Sequence, residues 1–237
     1  MYIRALEYFL LTHQFAIIGN GSWSSALVKI LTDNGHTVNW WMRSKTAIEH
    51  LHKTHHNPHY LKSVNYDMRL ISLYDDIDRC IRQSDIILIG IPSAFIVDTL
   101  SALPKDIFQG KKILSAIKGI LPNQNVLLNE YLETEFQVSI HDYCCIAGPC
   151  HAEEIAAEKL SYLTFASENI DLSKIIAPYF ANHYLQTVLS NDVYGVQYAA
   201  VLKISMPWVP VSPTASIMAI IFLVSISPIA LPSCNIL

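Results

Sequence analysis

Charge is scarce in this 237-residue chain: Asp, Glu, Lys and Arg make up 15% of it, and none lies beyond Lys203. The 16 basic residues are outnumbered by 20 acidic ones, giving a net charge of −4. No surplus of positive charge is available to neutralise a phosphate backbone, so no nucleic-acid partner is expected. Cysteine is also sparse, and its count of five is odd. The spacing matches no metal-ligand pattern, and the adjacent Cys144 and Cys145 cannot easily bridge each other. A disulfide framework is therefore excluded and a reduced, cytoplasmic chain is expected. The N-terminal stretch MYIRALEYFLLTHQ has no apolar segment followed by small residues, so it does not read as a secretory signal. Long apolar runs are missing too. Ile217–Ile226 is mostly apolar, but a membrane span needs about 20 such residues. Pro228 and Pro232 interrupt the chain beyond it, and no positive residue flanks the run closely, so no membrane partner is expected.

The chain is, however, 51% hydrophobic, enough for one large core or one and a half smaller ones. The pattern alternates strand with helix. Phe15–Ile18 is a short apolar run ending at Gly19. Ala26, Leu27, Ile30 and Leu31 then recur at helical spacing, with Gly35 placed to end the helix. Thr37–Met42, Asp85–Ile91 and Lys112–Ile117 read as further strands, the second apolar on both faces as a buried parallel strand should be. A helix is expected over Phe95–Leu103. Beyond Cys145 the expectation is helix near His151–Glu158, strand at Leu163–Ala166, helix at Leu172–Ala181, strand at Leu185–Leu189, and a new helix capped by Asp192. Such alternation predicts an α/β fold, a Rossmann-like doubly wound parallel sheet covered on both faces.

The segment Gly19-Asn20-Gly21-Ser22-Trp23-Ser24 follows a strand and opens a helix, the context a dinucleotide fingerprint requires. Gly19 permits the tight turn and Gly21 lets backbone approach a pyrophosphate, while the helix N-terminus supplies N–H donors. Ser24 holds the third position, usually Gly or Ala, and is small enough for close helix–strand packing. At the end of the second strand, Arg43 stands where an acidic residue would accept from a ribose 2′-hydroxyl. Arginine suits a 2′-phosphate instead, which favours NADPH over NADH, though a solvated surface Arg fits the same position. Lys118 ends a buried strand, at the strand end where ligands of doubly wound sheets bind. It can reach a cofactor or substrate oxygen there, or simply be a surface Lys. Ala147-Gly148-Pro149-Cys150-His151-Ala152-Glu153-Glu154 again joins strand to helix and offers a second set of backbone donors. A catalytic Cys–His pair is a poor reading of neighbours in sequence. His50, His52, His55, His56 and His59 lack the carboxylates or cysteines that would complete a metal geometry, so no metal site is expected.

In these motifs the chain resembles bacterial glycerol-3-phosphate dehydrogenases, from about Phe15 to Lys203. The matching pieces are GNGSW at Gly19–Trp23, NPHYL at Asn57–Leu61, IPS at Ile91–Ser93 and KGI at Lys118–Ile120. GPCHAEE at Gly148–Glu154, DVYGVQ at Asp192–Gln197 and LK at Leu202-Lys203 follow in family order. The resemblance implies that Ser22, Trp23 and Arg43 contact NADPH (or NADH), with Gly19 and Gly21 in the turn and Ala152 also at the cofactor. Lys118 would touch both cofactor and substrate, and Gly148 and Cys150 would line the substrate site. The family more often has Ser or Thr where Cys150 stands. Lys203 would be the general acid/base that protonates the carbonyl oxygen of dihydroxyacetone phosphate as hydride arrives, giving glycerol 3-phosphate for phospholipid synthesis. Read from the residues alone, Lys203 is a helix-surface Lys. Two other readings stay open: a dinucleotide-binding remnant without turnover, and another hydroxy-acid or sugar dehydrogenase of the same architecture.

The implied organisation is a cofactor domain over 15–190, then a remnant, 191–203, of an all-helical substrate domain whose rest is missing. Residues 204–237 do not continue the family pattern. Back-translating Lys203–Phe222, with free third bases chosen to suit, and reading two bases later gives NIYAMGAGIAHGINYGDNF, which looks like the family's own continuation. One base lost from an A-run at the Lys203 codon would account for this, making the tail an out-of-frame segment.

Overall fold

In a computed structural model of the chain, the structure describes residues 13–122 and 124–205. The tail proposed as out of frame therefore lies, from residue 206 onward, outside the described residues.

Eight strands form one sheet: β1 (Phe15–Ile18), β2 (Val38–Trp41), β3 (Ile71–Tyr74), β4 (Ile86–Ile89), β5 (Lys112–Ser115), β6 (Tyr143–Ala147), β7 (Ser161–Ala166) and β8 (Leu185–Ser190). Eight α-helices are described with them: α1 (Ser22–Asp33), α2 (Lys45–Thr54), α3 (Ile77–Arg82), α4 (Ile96–Leu100), α5 (Leu128–Phe136), α6 (Ala152–Ala156), α7 (Ile170–Ile176) and α8 (Val193–Ser205). The strand order is β3-β2-β1-β4-β5-β6-β7-β8. The first six strands are parallel, as expected for a doubly wound sheet. The last two are not. β7 runs antiparallel to β6, pairing Cys145 with Ala166, and β8 runs parallel to β7.

Both faces of the sheet are covered. FAII of β1 and IILI of β4 are wholly buried, because successive side chains point to opposite faces and both faces carry helices. Phe15, Ile17 and Leu88 enter one core with Leu27, Ile30 and Leu31 of α1, while Ala16, Ile18, Ile87 and Ile89 enter another with Ile96 and Leu132. Each fully buried Leu or Ile contributes roughly 1.5–3 kcal/mol of transfer free energy. Helix α1 stops where the sequence says it should. Gly35 takes φ +79°, and its N–H and that of His36 reach back to the carbonyls of Thr32 and Leu31, a left-handed cap that suits glycine.

Two expected helices are shorter than the sequence suggests. The Phe95–Leu103 segment is a 3-10 turn over Ser93–Phe95 followed by the five residues of α4, with Pro104 just beyond. The Leu172–Ala181 segment is α7 plus a 3-10 turn, Ala177–Tyr179, where Pro178 removes a backbone donor.

Candidate functional site

The strand order reverses between β1 and β4, the switch point at which doubly wound sheets leave a crevice beyond the carboxyl ends of their strands. Gly19 leaves β1 with φ +118°, and a Cβ at this position would stand 2.8 Å from Ile91 Cγ2 and 3.2 Å from the Gly90 carbonyl. Only glycine fits without strain. Across the switch point, a Cβ on Gly90 would collide with Ser24 Oγ. Ser24 is fully buried and donates its hydroxyl to the Gly90 carbonyl at 2.8 Å. The serine at the third fingerprint position thus allows close helix–strand contact and adds a bond that Gly or Ala would not make. Gly21 precedes α1, and a Cβ there would meet nothing within 4 Å. That open space beside orphan helix N–H groups is what an approaching pyrophosphate needs.

The turn is held from behind. Its Gly19 carbonyl accepts from Trp40 Nε1 at 2.7 Å, and its Asn20 carbonyl from Asn57 Nδ2 at 3.2 Å. Asn57 also donates to Ser25 Oγ at 2.9 Å and accepts from the N–H groups of His59 and Tyr60. The Tyr66 hydroxyl donates to the Ser25 carbonyl at 3.1 Å, and burial raises its pKa far above that of a free phenol. Trp40, Asn57 and Tyr66 are nearly inaccessible to solvent.

Around the crevice, two cations face two aromatic rings. The Arg43 guanidinium lies 6.0 Å from the Phe95 ring centre, linking the ends of β2 and β4. Lys118, exposed after β5, sits with Nζ 5.8 Å from the Trp23 ring centre. Lys45, by contrast, is paired with Asp75 at 3.0 Å. Gly148 follows β6, and a Cβ on it would strike the Tyr162 carbonyl. The Cys150 thiol is buried and donates to that same carbonyl at 3.6 Å. Ala152 opens α6, which packs against α1.

The sequence-predicted residues Gly19, Gly21, Ser22, Trp23, Arg43 and Lys118 therefore lie at the carboxyl ends of β1, β2 and β5 or open α1, and Gly148, Cys150 and Ala152 follow β6 at the same end. Lys203 lies in α8, capped by Asp192, whose carboxylate accepts from Gly195 N at 2.7 Å. That helix packs on β6, where the Tyr143 hydroxyl donates to Gln197 Oε1 at 2.9 Å and Gln197 Nε2 donates to Asn129 at 3.0 Å. Among the described residues no group of three or more His, Cys, Asp or Glu is gathered as metal ligands would be. His50, His52, His55 and His59 are exposed, and a His56 ring nitrogen is hydrogen-bonded to the Val64 carbonyl. Nor is any helix among the described residues long and apolar enough to cross a membrane. Sequence reasoning missed Phe95, Gly90 and the roles of Trp40, Asn57, Tyr66 and Gln197. Asn57 and Gln197 stand inside the NPHYL and DVYGVQ pieces, which was the available signal.

The family described as the NAD-dependent glycerol-3-phosphate dehydrogenase N-terminus matches residues 14–173, two thirds of the chain and every strand from β1 to β7. The chain belongs to this family. Among its relatives is a glycerol-3-phosphate dehydrogenase [NAD(P)+] of Streptococcus sanguinis, 31% identical over 189 residues, which are 79% of this chain and 55% of that protein. One of the same name from Streptococcus suis is 34% identical over 193 residues, 79% of this chain and 56% of that protein. The chain thus spans about half the length of the curated relatives it matches. A crystal structure of glycerol-3-phosphate dehydrogenase from Coxiella burnetii superposes with a TM-score of 0.73 at 24% identity, covering 80% of this chain and 57% of that one. At that identity the likeness speaks to the fold alone. It agrees with the Rossmann-like sheet of the family's dinucleotide-binding domain.

Proposed function

We propose that this chain is the cofactor-binding half of a glycerol-3-phosphate dehydrogenase, holding NADPH, or NADH more weakly, in the crevice between β1 and β4. The observation that carries the reading is the Gly19–Ser24 turn, where glycine is required at position 19 and space is left open at Gly21, inside the segment that matches the family. The cofactor supplies hydride to the carbonyl carbon of dihydroxyacetone phosphate, yielding sn-glycerol 3-phosphate. The chain's part is to bind, orient and move a proton. Ser22 and Trp23 open the helix at the pyrophosphate, Arg43 takes the 2′-phosphate, and Ala152 borders the cofactor. Lys118 touches both cofactor and substrate, and Gly148 and Cys150 line the substrate site. Lys203 protonates the carbonyl oxygen, which requires its pKa to be lowered by burial or neighbouring positive charge. Residues 15–190 are read as the cofactor domain and 191–203 as the start of the substrate domain.

A second reading, a dinucleotide-binding remnant without turnover, is favoured by the family match at residues 14–173, which takes in the phosphate turn but not Lys203. Fluorescence titration and turnover assays test both. The 237-residue polypeptide is expected to bind NADPH more tightly than NADH and to oxidise it slowly or not at all with dihydroxyacetone phosphate. No binding of either nucleotide to folded protein refutes the cofactor reading, and robust turnover refutes the remnant.

A further inference from the structure

We propose that Asn57 is a positioning residue of the dinucleotide site, which aims the N–H groups of the phosphate turn by holding the Asn20–Gly21 peptide in one orientation. The proposal rests on the cofactor reading above. In a trans peptide the carbonyl oxygen and the next amide hydrogen point to opposite sides, and no described peptide bond is cis. Trp40 Nε1 holds the Gly19 carbonyl at 2.7 Å and Asn57 Nδ2 holds the Asn20 carbonyl at 3.2 Å. Both oxygens are drawn toward the packed interior, so the N–H groups of Asn20 and Gly21 are turned the other way.

The second peptide is the one that needs holding. Gly21 has no Cβ, its surroundings are open, and a peptide ahead of glycine can rotate at little steric cost. Such a flip would present a carbonyl oxygen to an anion in place of an N–H donor. Asn57 is suited to prevent it. The side chain is 1% exposed, and both of its polar atoms are fully engaged. The two acceptor bonds, from His59 N at 3.0 Å and Tyr60 N at 3.2 Å, fix the amide plane. The two donor bonds then reach the Asn20 carbonyl and Ser25 Oγ, gripping the turn and the first turn of α1 together. Asn57 acts not on the ligand itself but through the peptide it holds.

The test uses ADP-ribose, which carries the pyrophosphate but no 2′-phosphate that titrates near neutrality. Binding to the 237-residue chain and to its N57D and N57L variants is measured at about pH 8 and about pH 5, with urea unfolding recorded beside it. N57D keeps the two acceptor bonds but loses the donors while ionised, and regains one donor when its buried carboxyl protonates. At about pH 8 both variants are expected to bind at least about fivefold more weakly than wild type. At about pH 5, N57D is expected to return to within about twofold of wild type, whereas N57L does not recover. Unchanged affinity of N57D at the higher pH overturns the proposal. So does a loss that follows only the unfolded fraction, without recovery of N57D in acid. If the wild-type chain, shown to be folded, binds neither ADP-ribose nor NADPH, the cofactor reading itself fails and the proposal falls with it.

Discussion

Replacing Gly19 by Ala should weaken the whole domain, and the reason divides into two parts that can be measured separately. The first is backbone strain. At φ +118° an L side chain sits in a sparsely populated region, which costs roughly 1–3 kcal/mol. The second is contact. The new methyl would stand 2.8 Å from Ile91 Cγ2 and 3.2 Å from the Gly90 carbonyl, on the floor of the switch point where β1 and β4 pair. Overpacking of this kind costs roughly a further 1–3 kcal/mol. The sum, about 2–6 kcal/mol, corresponds to a melting midpoint lower by roughly 4–24 °C for a domain of this size. Calorimetry or urea denaturation reads this directly. Repeating the substitution in an Ile91→Ala background removes the closest atom but leaves φ unchanged. The penalty should then shrink by about 1 kcal/mol, a coupling of the size expected for residues in contact. An unchanged midpoint in Gly19→Ala would refute the strain argument. Identical penalties in the two backgrounds would refute the contact argument alone.

Ser24→Ala should lower stability by about 1 kcal/mol in urea denaturation, because the half-buried Gly90 carbonyl loses its donor. Arg43→Ala should reduce the preference for NADPH over NADH without weakening NADH, and an unaltered ratio in titration would remove Arg43 from the 2′-phosphate. Burial pushes the thiols of Cys80 and Cys144 up to about 12, so peptide mapping after thiol labelling at neutral pH should find both unreacted until denaturant is added. His36 is held below its ordinary pKa by burial against Tyr179. The unfolded chain therefore takes up this proton first, so stability should fall as pH drops below about 6.5. His36→Gln should flatten that part of the stability profile.

The parts of the fold that were legible in the sequence are those whose residues answer to one constraint. β1 and β4 are buried on both faces, so FAII and IILI could be read as strands without knowing their neighbours. β3 is an edge strand in which only Ile71 is buried, and its ISLY segment shows neither a continuous apolar run nor a clean alternation. The direction of β7 and β8 was not legible either, since the burial pattern of a strand is the same whichever way its neighbour runs. In the candidate site, Gly19, Gly21 and Arg43 announce themselves because their neighbours in sequence are also their neighbours in function. The clamp does not. Asn57 meets Asn20 across 37 positions and Tyr66 meets Ser25 across 41, and nothing local in NPHYL says which backbone atom its amide will hold.

The reversal at β7 has a vectorial consequence. After six strands that all end at the crevice, the chain runs β7 and β8 the other way, so β8 delivers the backbone to the far side of the sheet at Ser190. Only Asn191 and Asp192 separate it from α8, and the helix folds back over β6. Thirteen residues of α-helix rise about 20 Å. Lys203 lies six helical steps beyond Gln197, which is anchored to Tyr143, a climb of about 9 Å toward the rim where Gly148 leaves β6. Had the last two strands kept the polarity of the others, the same helix would start at the crevice and descend, carrying its lysine away from it. The antiparallel pair acts as a switchback, and the polarity of two peripheral strands decides at which end of the sheet the last turn of the next helix arrives.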